Sequence, residues 1–181
     1  MSADLAIAPL TASPDVIDAL SGMLIETVAA GGSVSFMHPL SPEDAAAFWA
    51  RSLTAADAGE RIVLGARLDG ELVATVTLDL ATPPNQPHRA DIAKLMTRLA
   101  HRGRGLARAL MLEAERLAAA DGRTLLTLDT AEEDGAAGFY EKLGYIRAGL
   151  IPDYAFKPHG GLTGTVLYFK RIEAADRRST G

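Results

Sequence analysis

The sequence predicts one mixed α/β (α+β) domain, with a central sheet of about six to seven strands flanked by about four helices. Three observations carry this. Apolar residues recur with a helical period before residue 58 and alternate strictly from Arg61 to Leu80. Past that point, short strand-like runs and helical runs take turns. No Pro-, Gly- or Ser-rich stretch is long enough to act as a linker in the 181 residues. The whole chain, 1–181, therefore reads as a single domain, with 172–181 expected to be a frayed tail.

Val16, Leu20, Met23, Leu24 and Thr27 share one face of a first helix, which ends at Gly31 and Gly32. In "SPEDAAAFWA", Ser41 suits an N-cap, Pro42 the first helical position, and Asp44 an acidic variant of the capping box. Asp69-Gly70 divides "RIVLGARLDGELVATVTLDL" into a hairpin. "RADIAKLMTR" reads as a further strand. Leu106, Leu110, Ala114, Leu117 and Ala118 form the stripe of a helix ended by Gly122. "LLTLDT" is a strand, "GFYEKLGY" a helix, and Tyr145 to about Leu150 another strand. "IPDYAFKPHGGLTG" is expected to be a loop before the last strand, "TVLYFK".

Composition narrows the function. A formal charge of −5 and a pI near 5.3 argue against a nucleic-acid partner, which calls for a basic field. No apolar run approaches a membrane span of about 20 residues, so no membrane partner is expected. "MSADLAIAPL" lacks the basic flank of a secretory leader, which makes the cytoplasm the expected location. With no cysteine there is neither a disulfide, a thiolate metal site nor a thiol nucleophile. His38, His88, His101 and His159 show no metal-ligand spacing, so no metal is expected.

The densest cluster of unusual residues is "HRGRGLARAL", between a strand and a helix. The first turn of a helix leaves backbone N–H groups unpaired and carries partial positive charge. Gly103 and Gly105 remove the side chains that would hold an anion away from those groups, and Arg102 and Arg104 add charge. The stretch suits phosphate oxygens. It lacks the Gly-Lys-Ser/Thr of a P-loop. As a dinucleotide fingerprint it has Arg108 at the third small position and too little chain after it for a doubly wound sheet.

Arg102-Gly103-Arg104-Gly105-Leu106-Ala107 resembles the Arg/Gln-x-x-Gly-x-Gly/Ala signature of the GCN5-related N-acetyltransferases (GNAT). The likeness extends in order and spacing to "DIAKLMTR", "LLTLDT" and "FYEKLGY". There are departures: Leu99 stands where proline is common, and Ala107 fills the last small position. "ETVAAGGSVSFM" and "FYEKLGYIRAGLIPDY" extend the resemblance to the tabtoxin-resistance branch of that family, over most of the chain from Glu26 onward. The resemblance implies a GNAT fold and acetyl-CoA as cosubstrate. It further implies that Leu95, Met96, Thr97, Arg102, Gly103, Arg104, Gly105, Leu106 and Ala107 bind the carrier, and that a small-molecule amine, such as an amino-acid-like β-lactam, is the acceptor. A monomer or a homodimer fits it equally.

Acetyl transfer to an amine needs a proton acceptor, stabilisation of a developing oxyanion and a proton for the leaving thiolate. Without cysteine, direct attack in a ternary complex is expected. By the resemblance, Asp91 and Asp129 are candidates for the base, Asp129 alternatively for binding the acceptor ammonium, and Tyr140 for the acid. Strand alternation places Asp91 with Ala93, Leu95 and Thr97 on one face. A salt bridge to Arg89 is the structural alternative for Asp91, an N-cap that for Asp129, and a core position that for Tyr140. A backbone N–H near Leu95 or Met96 is expected to serve the oxyanion. Lys94 and Arg98 are expected on a solvated or carrier-facing strand surface. Loops 30–40 and 152–164 are expected to wall the acceptor pocket, with Phe36 and Tyr154 lining it. Two other readings stay open: a carrier-binding sensor without turnover, and an enzyme acting on peptide or protein amino termini.

Overall fold

Serines start the first two helices: Ser41 as the sequence leads one to expect, and Ser13, which the sequence reading did not single out. In the computed structural model, which describes residues 4–134 and 136–175, Ser13 Oγ accepts from Val16 N at 3.3 Å and begins α1 (Pro14–Ala29). Ser41 Oγ accepts from Asp44 N at 3.0 Å and donates to Asp44 Oδ2 at 2.8 Å, opening α2 (Pro42–Asp57). Asp69 and Gly70, at φ 48° and 88°, form the tight turn between β2 (Arg61–Leu68) and β3 (Glu71–Asp79). There follow β4 (Arg89–Thr97), α3 (Leu106–Ala120), β5 (Leu125–Ala131) and α4 (Ala137–Lys142). A last hairpin joins β6 (Ile146–Phe156) to β7 (Leu162–Arg171).

One strand precedes all of these. β1 (Leu5–Pro9) pairs antiparallel with β2, Leu5 opposite Leu68. It completes a seven-stranded sheet in the order β1-β2-β3-β4-β5-β7-β6, antiparallel at every step except β4 to β5. Sequence reading missed β1 because "LAIAP" is short, lies at an edge and buries almost nothing, so no alternation marks it.

The second correction is larger. The stretch from Ile151 to Gly164 is not a loop: β6 continues to Phe156 and β7 begins at Leu162. Pro152 misled the reading. It is tolerated because β6 is the sheet's edge, and the register shifts between Ile151 and Ala155, with Asp153 at φ 51°. In the tail, Ile172 N donates to Thr124 O at 3.0 Å and Ala175 N to Ala119 O at 2.9 Å. Residues 172–175, expected to fray, are thus tied to the domain, and 176–181 lie outside the described residues.

The sheet divides the core in two. Leu106, Leu110, Met111 and Ala114 of α3 bury against Val76, Leu78, Ala90 and Ile92, with Tyr140 and Leu143 from α4 and its end. Leu20, Met23 and Leu24 of α1 pack with Trp49 and Leu53 of α2 against the opposite face. Among the described residues no helix is long and apolar enough to cross a membrane. Trp49 is fully buried in the second half of the core. Trp49→Ala should lower the stability of the domain by about 3–5 kcal/mol, read as a drop in the urea midpoint with little change in slope.

Candidate functional site

The two central parallel strands pair over only three residues. Arg89, Ala90 and Asp91 of β4 stand beside Leu125, Leu126 and Thr127 of β5, and beyond them the strands part. The cause lies in β4. Thr77 of β3 faces Ala93 and Thr75 faces Met96, so Val76 alone stands opposite Lys94 and Leu95. This is a β-bulge, with Lys94 at φ 53°. It breaks the expected alternation. Ala90 and Ile92 bury under α3, whereas Met96 buries under α1 and α2. Asp91, Ala93, Leu95 and Thr97 therefore do not share one face. The break falls where the sequence called for a backbone N–H, near Leu95 and Met96, but no alternation pattern could show it.

A cavity of about 860 Å³ occupies the divergence. Its floor and one side are β4 from Ile92 to Thr97 and the start of α3. Here the glycines matter. Gly103 and Gly105 adopt φ of 75° and 78°, a left-handed backbone that other residues resist, and a Cβ on either would meet no protein atom within 4 Å. Gly105 is the N-cap of α3, and unlike Ser13 and Ser41 it supplies no side-chain acceptor. The first turn of α3 also carries no acidic residue. Its N–H groups, with Arg102 and Arg108 beside them, are left for an anion from outside. Leu106 and Ala107 also line the cavity. Arg104, expected to assist, is exposed and lies outside the lining.

Of the predicted acid–base residues, two come together here. Asp129 and Tyr140 both line the cavity. Asp129 accepts a hydrogen bond from Thr165 Oγ1 at 2.9 Å, which orients its carboxylate from the neighbouring strand β7. Tyr140 is buried among Phe139, Tyr145 and Tyr168, whose ring centroids lie 5.1, 6.0 and 5.8 Å away. Asp91 is elsewhere. It is held by Arg89 and the Thr127 hydroxyl, outside the cavity lining.

The acceptor side also needs correction. Residues 30–35 line the cavity as expected, but Phe36 turns onto Phe48, centroids 5.1 Å apart, and off the wall. Tyr154 is 57% exposed on the edge strand β6 and does not reach the cavity. None of residues 152–164 lines the cavity, so the second expected wall is absent; that turn instead touches the loop 30–40. The His38 and His159 rings meet at a tilt of 44° with centroids 4.5 Å apart, His38 N donates to Pro158 O at 2.9 Å, and His159 Nε2 lies 2.9 Å from Ala29 O.

The sequence reading put Lys94 on a solvated or carrier-facing strand surface and gave it no part in the chemistry. It lines the cavity, donates to Ser35 Oγ at 3.2 Å and lies 5.7 Å over the Phe48 ring. Removal from water holds its ammonium below the usual lysine value of 10.5, while Asp129 pulls it up and Arg61 pushes it down. The available signal was a charge set inside an otherwise apolar strand, "DIAKLMT".

Residues 30–145 match the profile of the acetyltransferase (GNAT) family. The chain belongs to that family. Solved structures agree on the GNAT fold. A ribosomal-protein-alanine N-acetyltransferase from Brucella melitensis is 16% identical with a TM-score of 0.79, covering 92% of this chain and 99% of its own. A putative phosphinothricin N-acetyltransferase is 20% identical with a TM-score of 0.75, covering 94% and 99%. The putative acetyltransferase yncA from Salmonella typhimurium, solved with its cofactor acetyl-CoA, is 13% identical with a TM-score of 0.74, covering 98% and 99%.

Lys94 gives this GNAT domain a pH signature. Its lowered value means the fold disfavours the charged form, so the penalty is fully present below the folded pKa. The penalty vanishes as pH rises through the unfolded value, where both states are neutral. Lys94→Met should therefore raise the melting temperature at neutral pH, and the gain should shrink towards pH 10.5. Melting curves of both proteins across pH check this.

Proposed function

We propose that the chain is an acetyl-CoA-dependent N-acetyltransferase that acylates the amine of a small molecule by direct attack in a ternary complex. The observation that carries the reading is one cavity shared by the glycine-nosed start of α3, the bulged β4, Asp129 and Tyr140. The fit to the carrier rests on the cradle: two left-handed glycines with open space where side chains would stand, and a helix start without a cap of its own. Leu106, Ala107 and Arg108 offer their N–H groups to the diphosphate, and Arg102 adds charge. The carrier supplies an activated acetyl thioester.

This chain's residues then divide the proton work. Asp129, directly or through one water, takes a proton from the acceptor ammonium, freeing the nitrogen lone pair for the carbonyl carbon. As the C–N bond forms, a backbone N–H that the bulge releases from the β3–β4 ladder, at Leu95 or Met96, faces the oxygen that gains charge. As the C–S bond breaks, the Tyr140 hydroxyl gives its proton to the departing sulfur, and the second proton shed by the acylated nitrogen restores the Tyr140 hydroxyl. Asp129 is preferred to Asp91 as the base because Asp91 is already neutralised by Arg89 outside the cavity.

A small acceptor is supported by the loop of residues 30–35 that walls the cavity, and by the resemblance to the tabtoxin-resistance branch, whose acceptor type is an amino-acid-like antimetabolite such as a tabtoxinine β-lactam. The phosphinothricin-type structural neighbour points the same way. We place the enzyme in the cytoplasm, as a monomer or homodimer working without a metal. The likeness to a ribosomal-protein acetyltransferase supports a second reading, in which the acceptor is a protein amino terminus.

Free coenzyme A release from acetyl-CoA across a panel of small amines and short peptides tests both. Tight carrier binding with no amine-dependent release would instead favour a sensor. Tyr140→Phe should lower kcat by about 10²-fold or more while changing the KM for acetyl-CoA far less. Asp129→Asn should lower kcat/KM for the amine by a similar factor. Unaltered turnover in either variant would take that residue out of the mechanism.

A further inference from the structure

Lys94 is out of place on two counts. Its φ of 53° is left-handed, a conformation strained for a long L side chain. Ser35, which receives its hydrogen bond, is strained likewise at φ 73°. Such strain persists where the surrounding structure enforces it, and it concentrates at functional sites. The second count is electrostatic. The side chain is half-buried in the cavity wall, yet among the described residues it takes part in no ion pair. It has three N–H donors, and the hydrogen bond to Ser35 uses one. A cation so placed is satisfied by an anion from outside the chain.

Two sources of that anion are conceivable, the carrier's phosphates and the acceptor. The position of the cation separates them. Lys94 Nζ is held by Ser35 from the loop after α1 and by Phe48 of α2, whereas the phosphate cradle is built at the start of α3. Asp129, of opposite charge, lines the same cavity. A cation and a carboxylate in one cavity of about 860 Å³ complement a small molecule that carries both an ammonium and a carboxylate.

We infer that Lys94 binds the carboxylate of the acceptor while Asp129 receives its ammonium, so that the acceptor is a zwitterion of the free amino-acid class. This rests on the acetyl-transfer reading above and adds to it a specificity residue. The bulge in β4 then does two things at once: it releases a backbone amide for the oxyanion and turns Lys94 towards the loop after α1.

The test compares common L-amino acids with their carboxamides, which keep the amine and lose the negative charge. With the native enzyme, kcat/KM should favour the acids by about tenfold to a hundredfold, the range of one hydrogen bond between charged groups. Lys94→Met should collapse that ratio through the KM of the acids, and Lys94→Arg should restore part of it. Equal use of acids and amides by the native enzyme would overturn the assignment while leaving acetyl transfer standing. A Lys94→Met variant whose main defect is a raised KM for acetyl-CoA would overturn it too, giving the cation to the carrier. Calorimetric titration of the native protein and Lys94→Met with the same compounds, without acetyl-CoA, reads the subsite apart from turnover. Lys94-dependent binding of acids with no release of coenzyme A would support the subsite and sink the acetyl-transfer reading. If the acids bind native protein and variant alike, the subsite falls.

Discussion

The organising constraint of this domain is that β4 and β5 stay together for three residues and then separate. A parallel pair that ran on to the strand ends would close the sheet and leave no interior cleft. The separation is held from both sides. β4 spends an extra residue opposite Val76 and turns its later side chains to the other half of the core. β5 takes its continuing partners from β7, with Asp129 opposite Leu167 and Thr130 opposite Val166. Each strand is thus fully engaged away from the cleft. The gap is consequently a stable part of the fold, braced by apolar packing on both faces.

Helix α3 shows the same division between stability and function. Two of the three long helices begin with a serine that satisfies an amide of the first turn, and such caps contribute about 1 kcal/mol each. The third begins with a glycine and forgoes that contribution. Its stability comes from its other end and its buried stripe: Leu110, Met111, Ala114 and Ala118 are all fully buried. Lys170 reaches Glu115 at 2.7 Å and Leu143 O at 2.7 Å, tying the helix to β7 and to the end of α4. Firm anchorage further along lets the N-terminal turn remain open without fraying.

How much of this the sequence disclosed follows from which features leave a periodic trace. The hairpin at Asp69-Gly70, the Ser41 cap and the glycine nose of α3 are local chemistry, and each is where the residues indicate. Asp129 and Tyr140 were found through a family resemblance and meet in one cavity. Features made by pairing partners were hidden. Alternation extrapolated through β4 put Asp91 beside Leu95, because a bulge is a relation between two strands and cannot be read from one. The same blindness turned Pro152 into a loop signal and took Tyr154 to the cavity, although the edge position of β6 makes a proline harmless there. Lys94 was assigned to a solvated or carrier-facing surface for a related reason: its burial depends on a helix and a loop about fifty residues earlier in the chain.

The irregularity of β6 has a further meaning. Along its eleven residues Ile151, Tyr154 and Phe156 are all exposed, on a ribbon whose outer backbone has no neighbouring strand within the sheet. A flat ribbon of that composition would template growth by other chains and seed fibrils. Pro152 withholds a donor in its middle, and the kink at Asp153 twists the rim out of register with any straight copy of itself. The same imperfections that disguise the strand from a reader of the sequence make this rim a poor template for the addition of another strand.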